Sequence, residues 1–255
     1  MTTPTRIVGA PCWIDLYTSD TGRASAFYGS LLGWKAQQPD PRFGGYFTFT
    51  KDGKHVAGCM GNDGSTGAPD AWTIYLESDD LENAAVQAVA HGGAVESPPM
   101  QVAENGSMAI FSDPGGARLG VWQPDQVKGF EVVDEPGAPG WFELHTRAYH
   151  ASVDFYRSVF AWNTKVESDT DEFRYTTLVD GDAQRAGIMD ATAYQTEGEP
   201  AAWSVYFTVT DVDHSLAQVV ELGGAVAQPA IDTPYGRLAQ ATDPTGTVFK
   251  LHAHS

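Results

Sequence analysis

The chain has 255 residues, of which 42% are hydrophobic and 19% are charged, a composition typical of a folded globular protein. Its 33 acidic and 15 basic residues give a net charge of −18, which would repel the phosphate backbone of a nucleic acid. The sequence has no long apolar run, and its two cysteines form no C-x-x-C motif, so we expect no membrane span, no zinc knuckle and no disulfide framework. We therefore expect a cytoplasmic protein that binds neither nucleic acid nor membranes.

A stretch near the beginning of the chain occurs a second time. Gly9-Ala10-Pro11-Cys12-Trp13 returns as Gly137-Ala138-Pro139-Gly140-Trp141, and a similar helix pattern follows each copy. This repeat predicts a duplicated fold with two domains of ordinary size. We place the first domain at residues 1–126, a linker rich in acidic residues and proline at 127–138, and the second domain at 139–255.

Strand and helix patterns alternate along the first half. Residues 12–17 alternate in the manner of a half-buried strand, and apolar residues then recur at helical spacing between a cap at Asp20 or Thr21 and a stop at Gly33. The pattern continues with a helix at 81–91 and with strands at 46–50, 55–60, 72–77, 107–112 and 118–122. Counting a short strand after each helix, this half is a β-α-β-β-β unit written twice, and the second half repeats the order.

Three short motifs recur in both halves. They are Phe-Tyr in the first helix, Gly-Gly after the second helix and Asp-Pro-x-Gly before the closing strand, at Phe27-Tyr28 and Phe155-Tyr156, Gly92-Gly93 and Gly223-Gly224, and Asp113 and Asp243. With these motifs, nearly the whole sequence resembles the glyoxalase/bleomycin-resistance/extradiol-dioxygenase superfamily, also called the vicinal oxygen chelate proteins. More narrowly, it is similar to a two-domain actinobacterial branch labelled hydroxylase, glyoxalase-like or secreted antigen, and to accessory proteins of aromatic polyketide biosynthesis.

The resemblance implies an α+β fold in which four βαβββ modules form two tandem glyoxalase-like domains with cup-shaped mixed sheets. Strand alternation then predicts which side chains face each cup. For the first domain (cup one) these are Trp13, Asp15, Tyr17, Tyr75, Arg118 and Trp122. For the second domain (cup two) they are Trp141, Glu143, His145, Tyr206, Lys250 and His252. The alternative is that the polar members of both sets point to solvent at strand ends.

Metal-dependent members of the superfamily carry His, Gln or Glu at inward positions of the first, fifth and eighth strands of a domain. The matching positions in this sequence hold Trp13, Thr73, Gly120, Trp141, Ser204 and Lys250. None of these is a standard metal ligand in this family, so we expect no metal in the family's place and no other cofactor. A different site made of Glu143, His145 and His252 is an open alternative, although a hydrogen-bonded polar patch explains the same residues. Of the remaining histidines, those in turn or helix patterns are predicted to be solvated, namely His55, His91, His150 and His214, and His254 is expected to lie in a frayed C-terminal tail.

Both cups combine aromatic walls with a few ionisable groups, which is typical of a site for a planar organic ligand. If cup two is catalytic, we expect Glu143 to act as the base, His145 or His252 as its proton partner, and Lys250 to hold an oxyanion. The alternative for Asp15 and Glu143 is a purely structural role, as buried acceptors of hydrogen bonds.

The leading functional hypothesis is a metal-independent protein that acts on an aromatic, polyketide-like small molecule or is accessory to its modification by cyclisation, isomerisation, ring opening or hydroxylation. As an enzyme it would be a cofactor-independent acid/base catalyst of secondary metabolism. The alternative is a non-catalytic protein that binds a drug or metabolite, as in the bleomycin-resistance branch. The expected partner is an aromatic small molecule, and the chain is expected to be a monomer or a homodimer, because the two fused domains already supply a pairing.

Overall fold

The structure, a computed structural model, describes residues 6–254. The first half contains, in chain order, β1 (Pro11–Thr18), α1 (Thr21–Leu32), β2 (Lys35–Ala36), β3 (Phe47–Lys51), β4 (Lys54–Gly61), β5 (Ala71–Glu77), α2 (Leu81–Ala90), β6 (Ala94–Val102), β7 (Gly106–Ser112) and β8 (Arg118–Pro124). The second half contains β9 (Pro139–Thr146), α3 (Tyr149–Phe160), β10 (Thr164–Asp169), β11 (Arg174–Asp180), β12 (Ala183–Asp190), β13 (Ala202–Thr208), α4 (Val212–Glu221), β14 (Ala225–Thr233), β15 (Gly236–Thr242) and β16 (Val248–Ala253). The predicted α+β fold of four βαβββ modules is confirmed.

Each half forms one open, mixed sheet of eight strands. The strand order is β2-β3-β4-β1-β5-β8-β7-β6 in the first half and β10-β11-β12-β9-β13-β16-β15-β14 in the second. The first strands of the two modules pair antiparallel at the centre, and each also pairs in parallel with the last strand of its own module. The same connectivity in both halves is the structural form of the sequence repeat.

The strands that follow α2 and α4 are longer than the short strands that the sequence predicts. β6 and β14 each have nine residues. They lie at the edges of the two sheets, where a proline does not remove a ladder hydrogen bond. Pro98, Pro99 and Pro229 therefore fit within these strands, although their presence argues against a strand in the sequence.

The two halves pack through the helix-covered faces of their sheets. Helix α1 contacts α4, helix α2 contacts α3, and β5 contacts β13. Aromatic rings fill this interface, and Trp34 and Phe207, from different halves, have ring centroids 5.3 Å apart. Since the convex faces meet, the two concave faces lie on the far sides of the molecule.

The repeated Gly-Ala-Pro stretch is part of this interface. The indole nitrogen of Trp34 donates a 2.6 Å hydrogen bond to the carbonyl of Gly137, and that of Trp162 donates a 2.8 Å hydrogen bond to the carbonyl of Gly9. Both glycines have φ of 85°, a left-handed conformation that favours glycine. A Cβ atom on Gly9 would also overlap the backbone of Phe160. Each copy of the stretch thus forms the contact at which the tryptophan of the other half binds.

The predicted linker is packed against the body of the protein. Phe130 is buried, stacks on Phe142 and lies 5.6 Å from the ring of Trp13. Its backbone nitrogen donates a hydrogen bond to the carbonyl of Cys12. The segment thus joins the first strands of the two halves. Within residues 6–254, no helix has both the length and the apolar character that are needed to cross a bilayer.

Candidate functional site

Strand register brings the predicted inward residues of cup two into two neighbouring rows. Pairing of β12, β9 and β13 forms the row Gly187-Glu143-Ser204, and pairing of β9, β13 and β16 forms the row Trp141-Tyr206-Lys250. Residues that pair in this way on one face have Cβ atoms about 5 Å apart, so their side chains interact. The rows place a carboxylate, a phenol and an amine at the floor of the cup.

Glu143 is the centre of this group. Its carboxylate accepts hydrogen bonds from the hydroxyls of Tyr175 at 2.7 Å and Tyr206 at 2.6 Å, and its Oε1 lies 2.8 Å from Nε2 of His145. The side chain is only 7% exposed. Gly187 beside it leaves the space that the Tyr175 hydroxyl occupies, because a Cβ atom there would overlap that oxygen. The carboxylate thus accepts two tyrosine hydrogen bonds, from β11 and β13, and contacts the imidazole of His145 on its own strand, β9.

Lys250 supplies the positive charge of the group. Its Nζ lies 2.6 Å from His145 Nε2, 2.9 Å from the Tyr206 hydroxyl and 3.6 Å from Glu143 Oε1. The Nε2 atom of His145 cannot donate to Glu143 and accept from Lys250 at the same time. The position of one proton therefore decides which of the two contacts is the hydrogen bond. The other ring nitrogen of His145 is hydrogen-bonded to the hydroxyl of Tyr194.

The charges of this buried group change its pKa values in a consistent way. Burial alone would raise the pKa of Glu143, but the hydrogen bond with His145 and the charge of Lys250 outweigh it and hold that pKa well below its usual range. Burial lowers the pKa of Lys250, and the charge of Glu143 opposes this change. Glu143 is therefore ionised at neutral pH, and its charge favours the ammonium form of Lys250.

A cavity of about 1200 Å³ opens above this floor. Its walls include Trp141, Trp203 and Tyr206. Its rim carries large apolar side chains that are well exposed, namely Phe173, Tyr194, Ile231, Tyr235 and Val248. Exposed apolar side chains on a monomeric protein are usually scattered singly. A group of them around a concave site therefore indicates an interaction surface. The cavity therefore offers flat apolar surface at its mouth and charge at its floor.

Cup one contains a matching carboxylate with a different environment. Asp15 Oδ1 accepts hydrogen bonds from Trp13 Nε1 and from the Tyr46 hydroxyl, both at 2.9 Å. Burial raises the pKa of Asp15, and the hydrogen bonds from Tyr46, Tyr75 and Trp13 oppose this change. The position that Lys250 has in cup two is held by Gly120, where a Cβ atom would overlap the ring of Tyr75. Tyr75 thus covers the place where cup two has its cation.

The other residues predicted for cup one have structural partners of their own. Arg118 is exposed and bonds Glu96 and Thr73, while the indole of Trp122 donates to the carbonyl of Val127. The hydroxyl of Tyr17 lies 3.5 Å from Thr66 Oγ1 near the edge of the cup. The structure thus groups Trp13, Asp15 and Tyr75 around one carboxylate, and it places Tyr17, Arg118 and Trp122 outside that group.

His252 is the predicted catalytic residue that the structure separates from the others. It lines the same cavity, but its Nε2 lies 2.8 Å from Thr208 Oγ1 and no hydrogen bond joins it to Glu143. Burial, together with the neighbouring His254, lowers its pKa to about 4. His145 is therefore the proton partner that the geometry gives Glu143. His254, expected to lie in a frayed tail, bonds the Asp134 carboxylate at 2.8 Å, because the linker passes beside the end of β16.

Tyr46, Tyr175 and Tyr194 are site residues that sequence reasoning missed. Tyr46 and Tyr175 occupy the same place in the two halves, and each donates to the carboxylate of its cup. Comparison of the two halves residue by residue indicates both, since Gly58 and Gly187 recur with them. Tyr194 has no counterpart in such a comparison, because it lies in a loop between β12 and β13.

The six positions at which the family binds its metal do not fit an ion. Trp141, Ser204 and Lys250 in cup two offer an indole, a hydroxyl and an ammonium group, and the corresponding residues of cup one are no better suited. A divalent first-row ion needs imidazole, carboxylate or thiolate donors. The Lys250 ammonium itself would repel a cation.

The fold and the paired cups define a protein of two tandem βαβββ-module domains with a ligand cavity. The chain belongs to the Glyoxalase/Bleomycin resistance protein/Dioxygenase superfamily, whose sequence profile matches residues 11–121 and 138–251. The anthracycline biosynthesis protein DnrV of Streptomyces peucetius is 36% identical over 261 residues, which cover 95% of this chain and 92% of that protein. The anthracycline biosynthesis protein DauV of Streptomyces sp. (strain C5) is 34% identical over 272 residues, with the same coverage.

Solved structures agree in fold. A Mn(II)-bound glyoxalase from Novosphingobium aromaticivorans superposes with a TM-score of 0.66 at 18% identity, over 96% of this chain and 82% of its own. At this level of identity the likeness concerns the fold alone, and the chemistry has to be argued from the residues of this chain.

Proposed function

We propose that this protein takes part in the biosynthesis of an aromatic, polyketide-like small molecule, and that it binds this molecule in cup two. The observation that carries the proposal is the cavity of about 1200 Å³ with an aromatic rim and a buried Glu143, His145 and Lys250 group at its floor. A polycyclic aromatic compound matches this arrangement, because its flat faces stack on the rim and its phenol or ketone oxygens reach the floor. The names of the two Streptomyces relatives support the same substrate class.

The floor of cup two supports acid/base chemistry without a metal at the family's positions. The low pKa of Glu143 makes this carboxylate a weak base, so we assign it the role of orienting His145 and neutralising Lys250. His145 then accepts a proton from a phenol or from a carbon beside a carbonyl group. The Lys250 ammonium stabilises the oxyanion that forms, which is electrostatic work that a metal ion performs in other family members. Return of the same proton at another atom completes an isomerisation or cyclisation without an oxidant.

A binding titration tests the first part of the proposal. An anthracycline, followed by its own fluorescence, is expected to bind the wild-type protein. The Lys250→Met and His145→Gln variants should bind about tenfold more weakly, which corresponds to about 1.4 kcal/mol. Arg118→Met is the matched control, because it removes a cation from the closing strand of cup one and should leave the affinity unchanged. Failure of the wild-type protein to bind any member of a panel of polycyclic phenols and quinones would exclude the proposal.

Non-catalytic binding is the second candidate, and the low pKa of Glu143 is the observation that favours it. The two candidates differ in what is recovered after incubation. An enzyme converts the bound compound to a product of different chromatographic retention, and the His145→Gln variant stops the conversion. A sequestering protein returns the compound unchanged. It protects either the compound itself or a partner enzyme that the free compound would otherwise reach.

A further inference from the structure

A second group of polar side chains lines cup two beside the floor residues. It consists of Asp134 from the linker and of His252 and His254 from the end of the chain. Each residue presents one donor atom, and the three donor atoms all lie within 4.8 Å of one another. All three residues also line the cavity of cup two. The floor residues Glu143, His145 and Lys250 belong to a different cluster.

The fold positions each of these side chains. Asp134 lies in a turn with φ of 56°, and its backbone nitrogen donates to the carbonyl of Pro139 at 2.8 Å. His252 is buried, and its Nε2 lies 2.8 Å from the hydroxyl of Thr208, which orients the ring. Gly140 lies directly beside them, and a Cβ atom there would overlap both His252 Nε2 and the Thr208 hydroxyl. The absence of a side chain at this residue keeps the group open.

The donor types match a divalent transition metal. Two imidazoles and one carboxylate suit zinc, iron, nickel or copper, and a hydroxyl that holds a ligating histidine is a common second layer of such sites. Zinc takes these donors at about 2.0–2.2 Å, so the ligand atoms of a bound ion lie about 3–4 Å apart. His254 Nε2 and Asp134 Oδ1 are already 2.8 Å apart. For an ion to fit between the donor atoms, these atoms have to move by about 1 Å. Asp134 and His254 are exposed, so their side chains can make this movement.

We propose that Asp134, His252 and His254 bind one divalent transition metal ion in the lining of cup two. This site is distinct from the six positions at which the superfamily holds its metal, which are occupied by other residues in this chain. Three protein ligands leave at least one coordination position free on the cavity side, as in catalytic zinc sites. An ion there would bind an oxygen of the molecule in cup two beside the one that Lys250 contacts, because His252 follows Lys250 by two residues on β16.

The experiment uses the full chain, produced without a polyhistidine tag and freed of metal with a chelator. Titration with Zn²⁺ by calorimetry is expected to give one site per chain, and Co²⁺ is expected to give a visible absorption band from nitrogen and oxygen ligands. Asp134→Asn and His254→Gln should each weaken Zn²⁺ binding tenfold or more, and the double variant should abolish the Co²⁺ band. Both substitutions are at exposed positions, so the circular dichroism spectrum should not change.

His214→Gln is the matched control, because His214 is exposed on α4 and lies outside the group. It should bind Zn²⁺ as the wild-type protein does. His252→Gln provides a further variant for which loss of binding is expected, with the fold checked in the same way. The absence of a stoichiometric ion, or equal affinity in the wild-type protein and the double variant, would overturn the proposal. Since the probe is the metal alone, the result does not depend on whether cup two binds an aromatic compound.

Discussion

Asp15 and Glu143 occupy the same place in the two cups, but their surroundings differ in charge. Glu143 has a buried cation beside it, and the pKa of Glu143 is held below its usual range. Asp15 has hydrogen-bond donors but a glycine where the cation would be, and burial raises its pKa. Two differences, Tyr17 in place of His145 and Gly120 in place of Lys250, therefore accompany the opposite directions in which the two carboxyl groups titrate on folding.

This reversal predicts opposite effects of neutralising the two carboxylates on stability. Glu143 has a lower pKa in the folded than in the unfolded protein, so its contribution to stability is complete above the ordinary pKa of about 4.5 and decreases as the pH falls below it. We expect Glu143→Gln to lower the free energy of unfolding by about 3 kcal/mol at pH 7, because Lys250 is left buried without a counter-ion. The deficit relative to the wild-type protein should shrink at pH values below 4.5. Urea unfolding of both proteins at a series of pH values measures this.

Asp15→Asn is the matched variant of cup one. Because the folded pKa of Asp15 lies above its ordinary value of 3.8, the ionised form carries a cost in the folded protein that disappears as the pH falls through the raised pKa. At pH 7 the substitution is expected to be neutral or stabilising, and the advantage should be lost at acid pH. A loss of stability at pH 7 as large as that of Glu143→Gln would show that the two carboxylates have the same role.

The sequence predicts the members of the cup-two floor better than their roles. Alternation along β9 and β16 is sufficient to place Glu143, His145 and Lys250 on one face, since side chains in a strand alternate strictly. The roles depend on distances between strands that are far apart in the chain. In the structure these distances place Lys250 3.6 Å from Glu143 and His252 2.8 Å from Thr208. The pattern of residues along one strand does not contain these distances between strands.

At the scale of elements, the Phe-Tyr and Asp-Pro-x-Gly motifs serve the interface between the halves. Tyr28 of α1 donates a 3.1 Å hydrogen bond to Asp243, which lies in the turn before β16. Tyr156 of α3 lies 3.3 Å from Asp113 in the matching turn before β8. The other oxygen of each aspartate accepts backbone N–H groups of its own turn. Each motif of one half is therefore completed by the other half, which explains why both motifs are duplicated.

Removing one of these tyrosine hydroxyls is expected to destabilise the protein. Tyr28→Phe leaves a buried carboxylate oxygen of Asp243 without its donor, which should cost about 1.5 kcal/mol. Tyr156→Phe should cost less through Asp113, because Ser152 Oγ still donates to the same oxygen. The midpoint of urea unfolding should shift while the ligand affinity of cup two stays the same. Tyr235→Phe is the control, because Tyr235 is exposed at the rim, and its stability should not change. Equal midpoints for all three variants would contradict the interface role.

Most elements follow from the sequence, and the exceptions have a common cause. The apolar spacing and the cap at Asp20 are local signals, and α1 begins and ends where they indicate. β6 and β14 are underestimated because proline lowers the expectation of a strand, while their position at a sheet edge is a property of the whole sheet. The pairing of Tyr28 with Asp243 is likewise invisible locally, because it depends on which faces of the two halves pack together.

At the scale of the molecule, the repeat gives two cups that each hold a buried carboxylate, and of these cup two has a lysine beside the carboxylate where cup one has Gly120. In cup one the ring of Tyr75 lies over Gly120 at this position, whereas in cup two Lys250 lies beneath a cavity of about 1200 Å³. The cups open on opposite sides of a shared interface, so both sheets lie between them. We therefore expect a substitution in one cup to leave ligand binding in the other cup unchanged. We therefore expect one molecule of an aromatic ligand per chain.

A pair of glycine substitutions tests which cup is used. Gly187→Ala places a Cβ atom on the Tyr175 hydroxyl and displaces it from Glu143, while Gly58→Ala does the same to the Tyr46 hydroxyl beside Asp15. Both should reduce stability by about 1–3 kcal/mol, since overpacking in a filled site has a similar cost in each cup. Only Gly187→Ala should weaken binding of the aromatic ligand, by about tenfold or more in a fluorescence titration. Weaker binding in Gly58→Ala alone would move the site to cup one, and an equal loss in both would mean that the cups are coupled through the interface that the tyrosines and tryptophans of the two halves build.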